Sequence, residues 1–268
     1  MAAAPPPAAP PPAGTLLDLT GRTAVVTGAG AGLGAVIAER LAEAGAAISV
    51  HYRTNRAGAL DVAARIAARG GRCLTCEADL TQPAHAERLF DTAAAHLGVP
   101  DILINNAGAY PLSSILDMSV AEWNLVVGAN LTSTHLTTQA LARRLVAVAR
   151  PGAIVNIASI EASTGAPAHS HYQAAKAGVV AYTRAAAREL GPKGLRVNAV
   201  SPGLIWRDGL DADWPDGVGR YTAAAPLGRL GTAADVADAC LFLVAPAARW
   251  ITGIELIVDG GVLTNGAY

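Results

Sequence analysis

"TAVVTGAGAGLGAVIAERLAEAG", residues 23 to 45, sets a short apolar run, a glycine-rich turn and a helix-like segment in that order. "TAVVT", residues 23 to 27, is the length and composition of a buried strand. Leu33, Ile37 and Leu41 recur at a spacing of four, one apolar helix face, before Gly45 ends the segment. Between the two, glycine occupies every other position from Gly28 to Gly34. Such a turn lets backbone approach a phosphate, while the helix start offers unpaired N–H groups and the positive end of its dipole. Two registers fit: Gly30, Gly32 and Ala35 satisfy GxGxxG/A, and Gly28, Gly32 and Gly34 satisfy TGxxxGxG.

The same alternation continues along the chain. "AAISVHY" (46–52), "RCLTCEADL" (72–80), "DILIN" (101–105), "AIVNIAS" (153–159), "LRVNAVSP" (195–202) and "IELIVDGG" (254–261) are further strands, separated by segments long enough for crossover helices, such as the apolar stretch from Leu125 to Val148. The pattern predicts an α/β, Rossmann-like doubly wound fold, a seven-stranded parallel sheet with helices on both faces. Ligands of such sheets gather at the carboxyl ends of the strands. The glycines, "NNAG" (105–108), Ser159 and "PG" (202–203) all directly follow strands.

Composition narrows the classes. The 268 residues suit one domain, residues 15–268, after an Ala/Pro-rich tail, residues 1–14, whose prolines lack N–H donors and which is expected to be disordered. Hydrophobic residues at 52% and charged residues at 15% exclude a disordered chain, and no apolar run reaches the roughly 18 residues of a membrane span. A net charge of -1 without a dense Lys/Arg cluster leaves no field for nucleic acid. The N-terminus has no basic region followed by an apolar one, so a cytoplasmic location is expected. Cys73 and Cys76 form CxxC, but on a strand they point to opposite faces, and no second pair completes a metal site; core positions are expected and no metal.

The residues just after the second strand separate the two glycine registers. The ordinary fingerprint wants an acid about 20 residues on for a ribose 2′-hydroxyl. Here the strand ends in "HYRTNR" (51–56), with Arg53 and Arg56 beside Thr54 and Asn55. Guanidinium pairs bidentately with phosphate, so a 2′-phosphate, and hence NADP(H), is favoured over NAD(H). An exposed basic turn with no ligand is the plainer alternative.

"SHYQAAKAGVVAYTRAAAREL" (170–190) reads as a helix that puts Tyr172 and Lys176 on one face. A phenol with a pKa near ~10 is a poor proton exchanger at neutral pH, and a nearby ammonium is expected to lower it. Ser159 stands at a strand end, and Asn130, in "VVGANLTS" (126–133), interrupts an apolar helix-like stretch. Singly these are a solvated face, a capping serine and a buried amide.

Together they resemble the classical short-chain dehydrogenases/reductases, over residues 15 to 263. Thr27, Gly28, Gly32 and Gly34 match that family's TGxxxGxG, "NNAG" and "SPG" (201–203) are intact, and Asn130, Ser159, Tyr172 and Lys176 match its catalytic tetrad. The resemblance implies a cofactor site of Gly28, Gly32, Leu33 and Gly34, of Arg53, Thr54 and Asn55, of Asp79 and Leu80 at the adenine, and of Asn106 and Gly108 on the adenosine side. Gly203, the Ile205 N–H, Tyr172 and Lys176 complete it at the nicotinamide end, and Gly30 becomes spare. It further implies that Tyr172 gives a proton to a carbonyl oxygen steadied by Ser159 while hydride reaches the carbon, with Asn130 positioning a water behind Lys176. One departure stands out: the family's usual Thr after "PG" is replaced by Trp206 and Arg207, so its diphosphate contact is lost or passes to Arg207.

The segment Leu204 to Leu227 is the expected substrate lid. It holds Trp206, Trp214 and Tyr221 in a chain with only 4% aromatics, and Tyr110, Glu161, His169 and His171 are candidates to join the wall. A bulky, polycyclic aromatic carbonyl is therefore expected, and the Ala/Arg/Gly-rich composition suits a GC-rich bacterial source, where polyketide ketoreductases of this family occur. Alternatively, the three aromatics only pack the lid onto the body. Other substrates within the family are a 3-oxoacyl-(acyl-carrier-protein), an alcohol, a steroid or a sugar. A non-catalytic NADP(H)-binding sensor is the reading from another class, disfavoured by the complete tetrad, and an isomerase or dehydratase of the extended relatives is disfavoured by length and glycine register. A homo-oligomer, dimer or tetramer through the final helices and last strand, is expected, with a small-molecule carbonyl or alcohol substrate and no nucleic-acid or membrane partner.

Overall fold

Seven strands organise the computed structural model, which describes residues 10–264. They are β1 (Thr23–Val26), β2 (Ala47–Tyr52), β3 (Cys73–Glu77), β4 (Ile102–Asn105), β5 (Gly152–Ile157), β6 (Leu195–Pro202) and β7 (Glu255–Val258), all parallel, in the order β3-β2-β1-β4-β5-β6-β7. Strands β1, β2, β4 and β5 are buried along their whole length, as a sheet covered on both faces requires. Winding reverses between β1 and β4, which opens a crevice at their carboxyl ends.

The helices are α1 (Gly32–Glu43), α2 (Arg56–Ala68), α3 (Pro83–Leu97), α4 (Val120–Val127), α5 (Ser133–Ala147), α6 (Ser170–Leu190), α7 (Leu210–Asp213), α8 (Pro215–Ala224) and α9 (Ala233–Val244). Alternate strand residues face opposite layers. Val26 and Ile104 pack with Ile37 of α1, Ile66 of α2 and Leu243 of α9, whereas Val25 and Leu103 pack with Phe90 of α3, Leu141 of α5 and Ala187 of α6. On β3, Cys73 and Cys76 are free thiols divided between these two layers, as their spacing predicts.

The stretch around Asn130 is not one regular helix. A Ser119–Glu122 capping box opens α4, and residues Gly128–Thr132 then form a π turn before α5. At the opposite end of the sheet, buried Asp101 accepts hydrogen bonds from Arg22 Nε (2.6 Å), Arg150 Nη2 (2.7 Å) and the Thr23 N–H (3.2 Å), tying the starts of β1, β4 and β5.

Of the Ala/Pro tail, residues 1–9 lie outside the described residues; a short helical turn spans Ala13–Thr15. Among the described residues, no helix is long and apolar enough to cross a membrane, and no group of His, Cys, Asp and Glu is placed to hold a metal ion.

Candidate active site

The glycine turn leaves β1 in the TGxxxGxG register. Gly28 and Gly32 have φ of +64° and +54°, conformations that favour glycine. A Cβ at Gly34 would collide with the Gly28 carbonyl and the Asn106 amide. The turn is pinned by its neighbours: Thr27 Oγ1 accepts from the N–H groups of Asn106 and Ala107, each at 2.9 Å, and Asn106 Nδ2 donates to the carbonyls of Thr27 (2.9 Å) and Gly28 (3.2 Å).

Two expectations change here. Gly30 is not spare, because a Cβ there would lie 3.0 Å from Asn55 O, at the start of α2. Asn55 is not free to meet a phosphate with its amide: Nδ2 donates to Gly30 O (2.9 Å) and Oδ1 caps α2 through the Gly58 N–H (3.1 Å). His51 adds a tether that motif reading missed. Its Nδ1 accepts the Gly28 N–H (3.0 Å) and its Nε2 donates to Ala78 O (3.1 Å), which sets the neutral tautomer, and burial pushes its pKa down to about 4. The residue stands in "HYRTNR", but only the sheet brings it to the turn.

A cavity of about 250 Å³ opens between the turn and the ends of β2 to β4, lined by Gly28, Arg53, Thr54, Asn55, Asp79, Leu80 and Gly108, among others. Arg53 makes no hydrogen bond or ion pair among the described residues. Asp79 accepts from the Thr81 N–H (3.0 Å) and hydroxyl (2.7 Å), bonds that hold its carboxyl below the usual carboxylate range. Gly32, Leu33, Gly34 and Asn106 shape the turn behind the cavity, and Leu33 packs into the sheet core.

Asn130, Ser159, Tyr172 and Lys176 converge beside it. The π turn buries Asn130, whose Nδ2 donates to Ala109 O (2.7 Å) and Val126 O (2.9 Å) while Oδ1 is buried with no partner among the described residues. Gly108 allows this packing, since a Cβ there would strike Asn130 Oδ1 and come within 3.8 Å of Lys176 Nζ. Lys176 is buried, donates to Ile157 O (2.7 Å) and sits 5.5 Å from the Tyr172 ring centroid. Burial pushes the Lys176 pKa down to about 8.

Tyr172 reverses the expected direction. Burial pushes its pKa up to about 12, opposed by a hydrogen bond with Ser159 and reinforced by the charges of Glu161 and Tyr110. Loss of water around the phenol dominates, and the ammonium is turned toward Ile157 O.

The wall residues separate into two groups. Tyr110 and His169 stack edge-on around Tyr172, with ring centroids 6.2 and 5.8 Å away, and His169 Nδ1 donates to Glu161 Oε2 at 2.8 Å. Trp214 and Tyr221 hold the 204–227 segment together and to the body instead. The Trp214 ring lies against Gly217 and is 5.9 Å from the Arg220 guanidinium, while the Tyr221 hydroxyl donates to Asp259 O (2.9 Å) across Gly203, where a Cβ would collide with it. Trp206 is half exposed, and His171 is sealed in the core of the body, fully buried. Arg207 pairs with Asp213 at 2.8 Å within the 204–227 segment. Ile205 pairs with Gly231 through its neighbours, leaving its own N–H unused among the described residues.

A family model described as enoyl-(acyl carrier protein) reductase matches residues 28–263. The chain is 40% identical over 252 residues to the L-rhamnose 1-dehydrogenase (NAD(P)(+)) of Azotobacter vinelandii, covering 92% of this chain and 98% of that one. It is 42% identical over 243 residues to the cis-4-hydroxycyclohexanecarboxylate dehydrogenase of Sinomonas cyclohexanicum, covering 90% and 96%. A gluconate 5-dehydrogenase from Burkholderia cenocepacia, solved with NADP and tartrate, superposes with a TM-score of 0.87 at 29% identity, over 94% of this chain and 99% of that one.

Proposed function

The chain belongs to the short-chain dehydrogenase/reductase family and is an NAD(P)-dependent oxidoreductase of alcohol and carbonyl groups; we propose that it interconverts a secondary alcohol and its ketone with NADP(H), using Tyr172 to move the proton. The observation that carries this reading is the convergence of Ser159 and Lys176 on the Tyr172 phenol, with Lys176 Nζ 5.5 Å from its ring centroid.

The residues present fit the cofactor. Arg53 stands unpaired at the cavity mouth, where a 2′-phosphate would meet it; Asp79 and Leu80 would hold the adenine and the glycine turn the diphosphate. Lys176 would hold the ribose hydroxyls and the unused Ile205 N–H the carboxamide. When bound, the nicotinamide supplies or accepts the hydride. For reduction, a phenol raised to about 12 arrives protonated at neutral pH, ready to donate. The Ser159 hydroxyl steadies the oxygen as charge develops, and the buried Lys176 favours the phenolate that remains. Asn130 Oδ1, a buried acceptor in need of a partner, suits a water that would return a proton toward Lys176.

For the substrate we favour a hydroxylated ring compound over a polycyclic aromatic one. Trp214 and Tyr221 are engaged within the lid, and Tyr172 is flanked instead by Glu161 and His169; the relatives named for rhamnose and hydroxycyclohexanecarboxylate support the same choice. Assembly as a dimer or tetramer through the C-terminal face is supported by Trp250, 97% exposed, and checked by sizing. The central test follows NADPH and NADH consumption against a panel of ketones, with Tyr172→Phe beside wild type. A loss of roughly 10²–10⁴ in rate is expected for the variant. Full activity in it would sink the mechanism, and an NADH preference would sink the cofactor assignment.

A further inference from the structure

We propose that Glu161 and His169 form a hydrogen-bond-accepting pair that selects a neutral vicinal diol, or the matching hydroxyketone, by binding the hydroxyl on the carbon next to the reacting one. The inference rests on the oxidoreductase reading of Tyr172 and Ser159.

One member of the pair adjoins each of those residues, Glu161 at Ser159 and His169 at Tyr172. Glu161 follows Ser159 by two residues and donates its own N–H to Ser159 Oγ at 3.1 Å, so its position is set by the serine. His169 precedes Tyr172 by three residues, one helical turn, and its ring centroid is 5.8 Å from the phenol ring. The two side chains join through His169 Nδ1 and Glu161 Oε2 at 2.8 Å, and Gln173 Nε2 donates to the same Oε2 at 3.3 Å.

This arrangement determines what is left over. A carboxylate only accepts, so the proton of the pair lies on Nδ1, and a ring protonated there alone presents Nε2 as an acceptor. Glu161 Oε1 is the second acceptor, and neither atom has a hydrogen bond among the described residues. Neither is sealed in protein: both are absent from the buried atoms left without a partner, and the side chains of Glu161 and His169 are 25% and 18% exposed. The site thus offers two acceptors and a carboxylate in a pair whose imidazole lies 5.8 Å, centroid to centroid, from the Tyr172 ring. A hydroxyl donor answers it; a methylene leaves it unpaired, and a carboxylate is repelled.

The probes are cyclohexanol, cyclohexane-1,2-diol and 2-hydroxycyclohexanecarboxylate, oxidised with NADP⁺. In wild type, kcat/KM for the diol is expected to exceed that for cyclohexanol by about tenfold or more, mainly through KM, because a hydrogen bond to a charged acceptor discriminates by at least that factor. The carboxylate is expected to be the poorest of the three. Glu161→Gln should bring the diol-to-cyclohexanol ratio close to one and improve the carboxylate relative to the diol; His169→Phe should lower the same ratio. Ratios unchanged from wild type in both variants would overturn the inference, as would a wild type that prefers cyclohexanol. If either variant fails to fold by thermal unfolding, the wild-type ratios decide alone. Calorimetric binding of the same probes to Tyr172→Phe with NADP⁺ separates the two levels. Diol selectivity in binding without wild-type turnover would sink the oxidoreductase reading and keep the pair, whereas equal binding of diol and cyclohexanol would sink the pair.

Discussion

Burial sets the working state of the two residues at the centre of the site. The Tyr172 phenol is pushed up to about 12 and the Lys176 ammonium down to about 8, both because the charged form loses water. A buried cation opposes folding, so, on the proposed role, Lys176→Met should abolish activity yet leave the protein as stable as wild type or up to about 2 kcal/mol more so at pH 7. The sign with pH comes from the lowered value. Below about 8 both folded and unfolded chains hold the proton and the penalty is complete; between about 8 and the ordinary 10.5 only the unfolded chain holds it, so wild type gains stability with rising pH and the advantage of the variant shrinks. Thermal unfolding of the pair from pH 7 to 10 checks this. YxxxK spacing made both residues visible in the sequence, but their pKa directions depend on how much of each side chain the fold removes from water.

At the scale of elements, the glycine turn is held as much by its partners as by its glycines. His51 reaches it from β2, Asn106 from β4 and Asn55 from the start of α2. His51 is stable only when neutral, which gives a second pH effect. Above the ordinary 6.5 its contribution is fully present; as pH falls from there toward about 4 the unfolded chain gains a proton that the folded one refuses, and stability is lost, on the order of 3 kcal/mol in all. His51→Gln should remove that acid-side loss and weaken NADP⁺ binding about tenfold, measured by unfolding at pH 4.5 and 7 and by cofactor titration. Gly30→Ala should cost about 1–2 kcal/mol, since its Cβ must push back Asn55 and with it α2. The strands and most helices were legible because buried parallel strands and amphipathic crossovers have distinct periods. The π turn around Asn130 was not, because one inserted residue in a helix changes no apolar spacing strongly enough to be seen.

Across the whole molecule the chemistry and the mechanical support lie at opposite ends of the sheet. Asp101 joins Arg22, Arg150 and Thr23 at the amino ends of the strands, far from the crevice. Asp101→Ala should therefore cost on the order of 2 kcal/mol, discounted because both arginines are partly exposed, while kcat/KM stays within about twofold. Unfolding and kinetics on one preparation distinguish this from a site effect.

The sequence by itself determined the alternating α/β order and the glycine register, because each rests on short-range spacing: period two in strands, period near four in helices, and glycine where backbone must approach closely; the tetrad was marked only by resemblance to the family. Only the tertiary structure decided that Asn55 and Gly30 brace α2, that the Tyr221 hydroxyl donates to Asp259 O, and that His169 meets Glu161 beside Tyr172. Those outcomes depend on which side chains from distant segments compete for the same acceptor or the same space. A linear pattern carries no record of that competition.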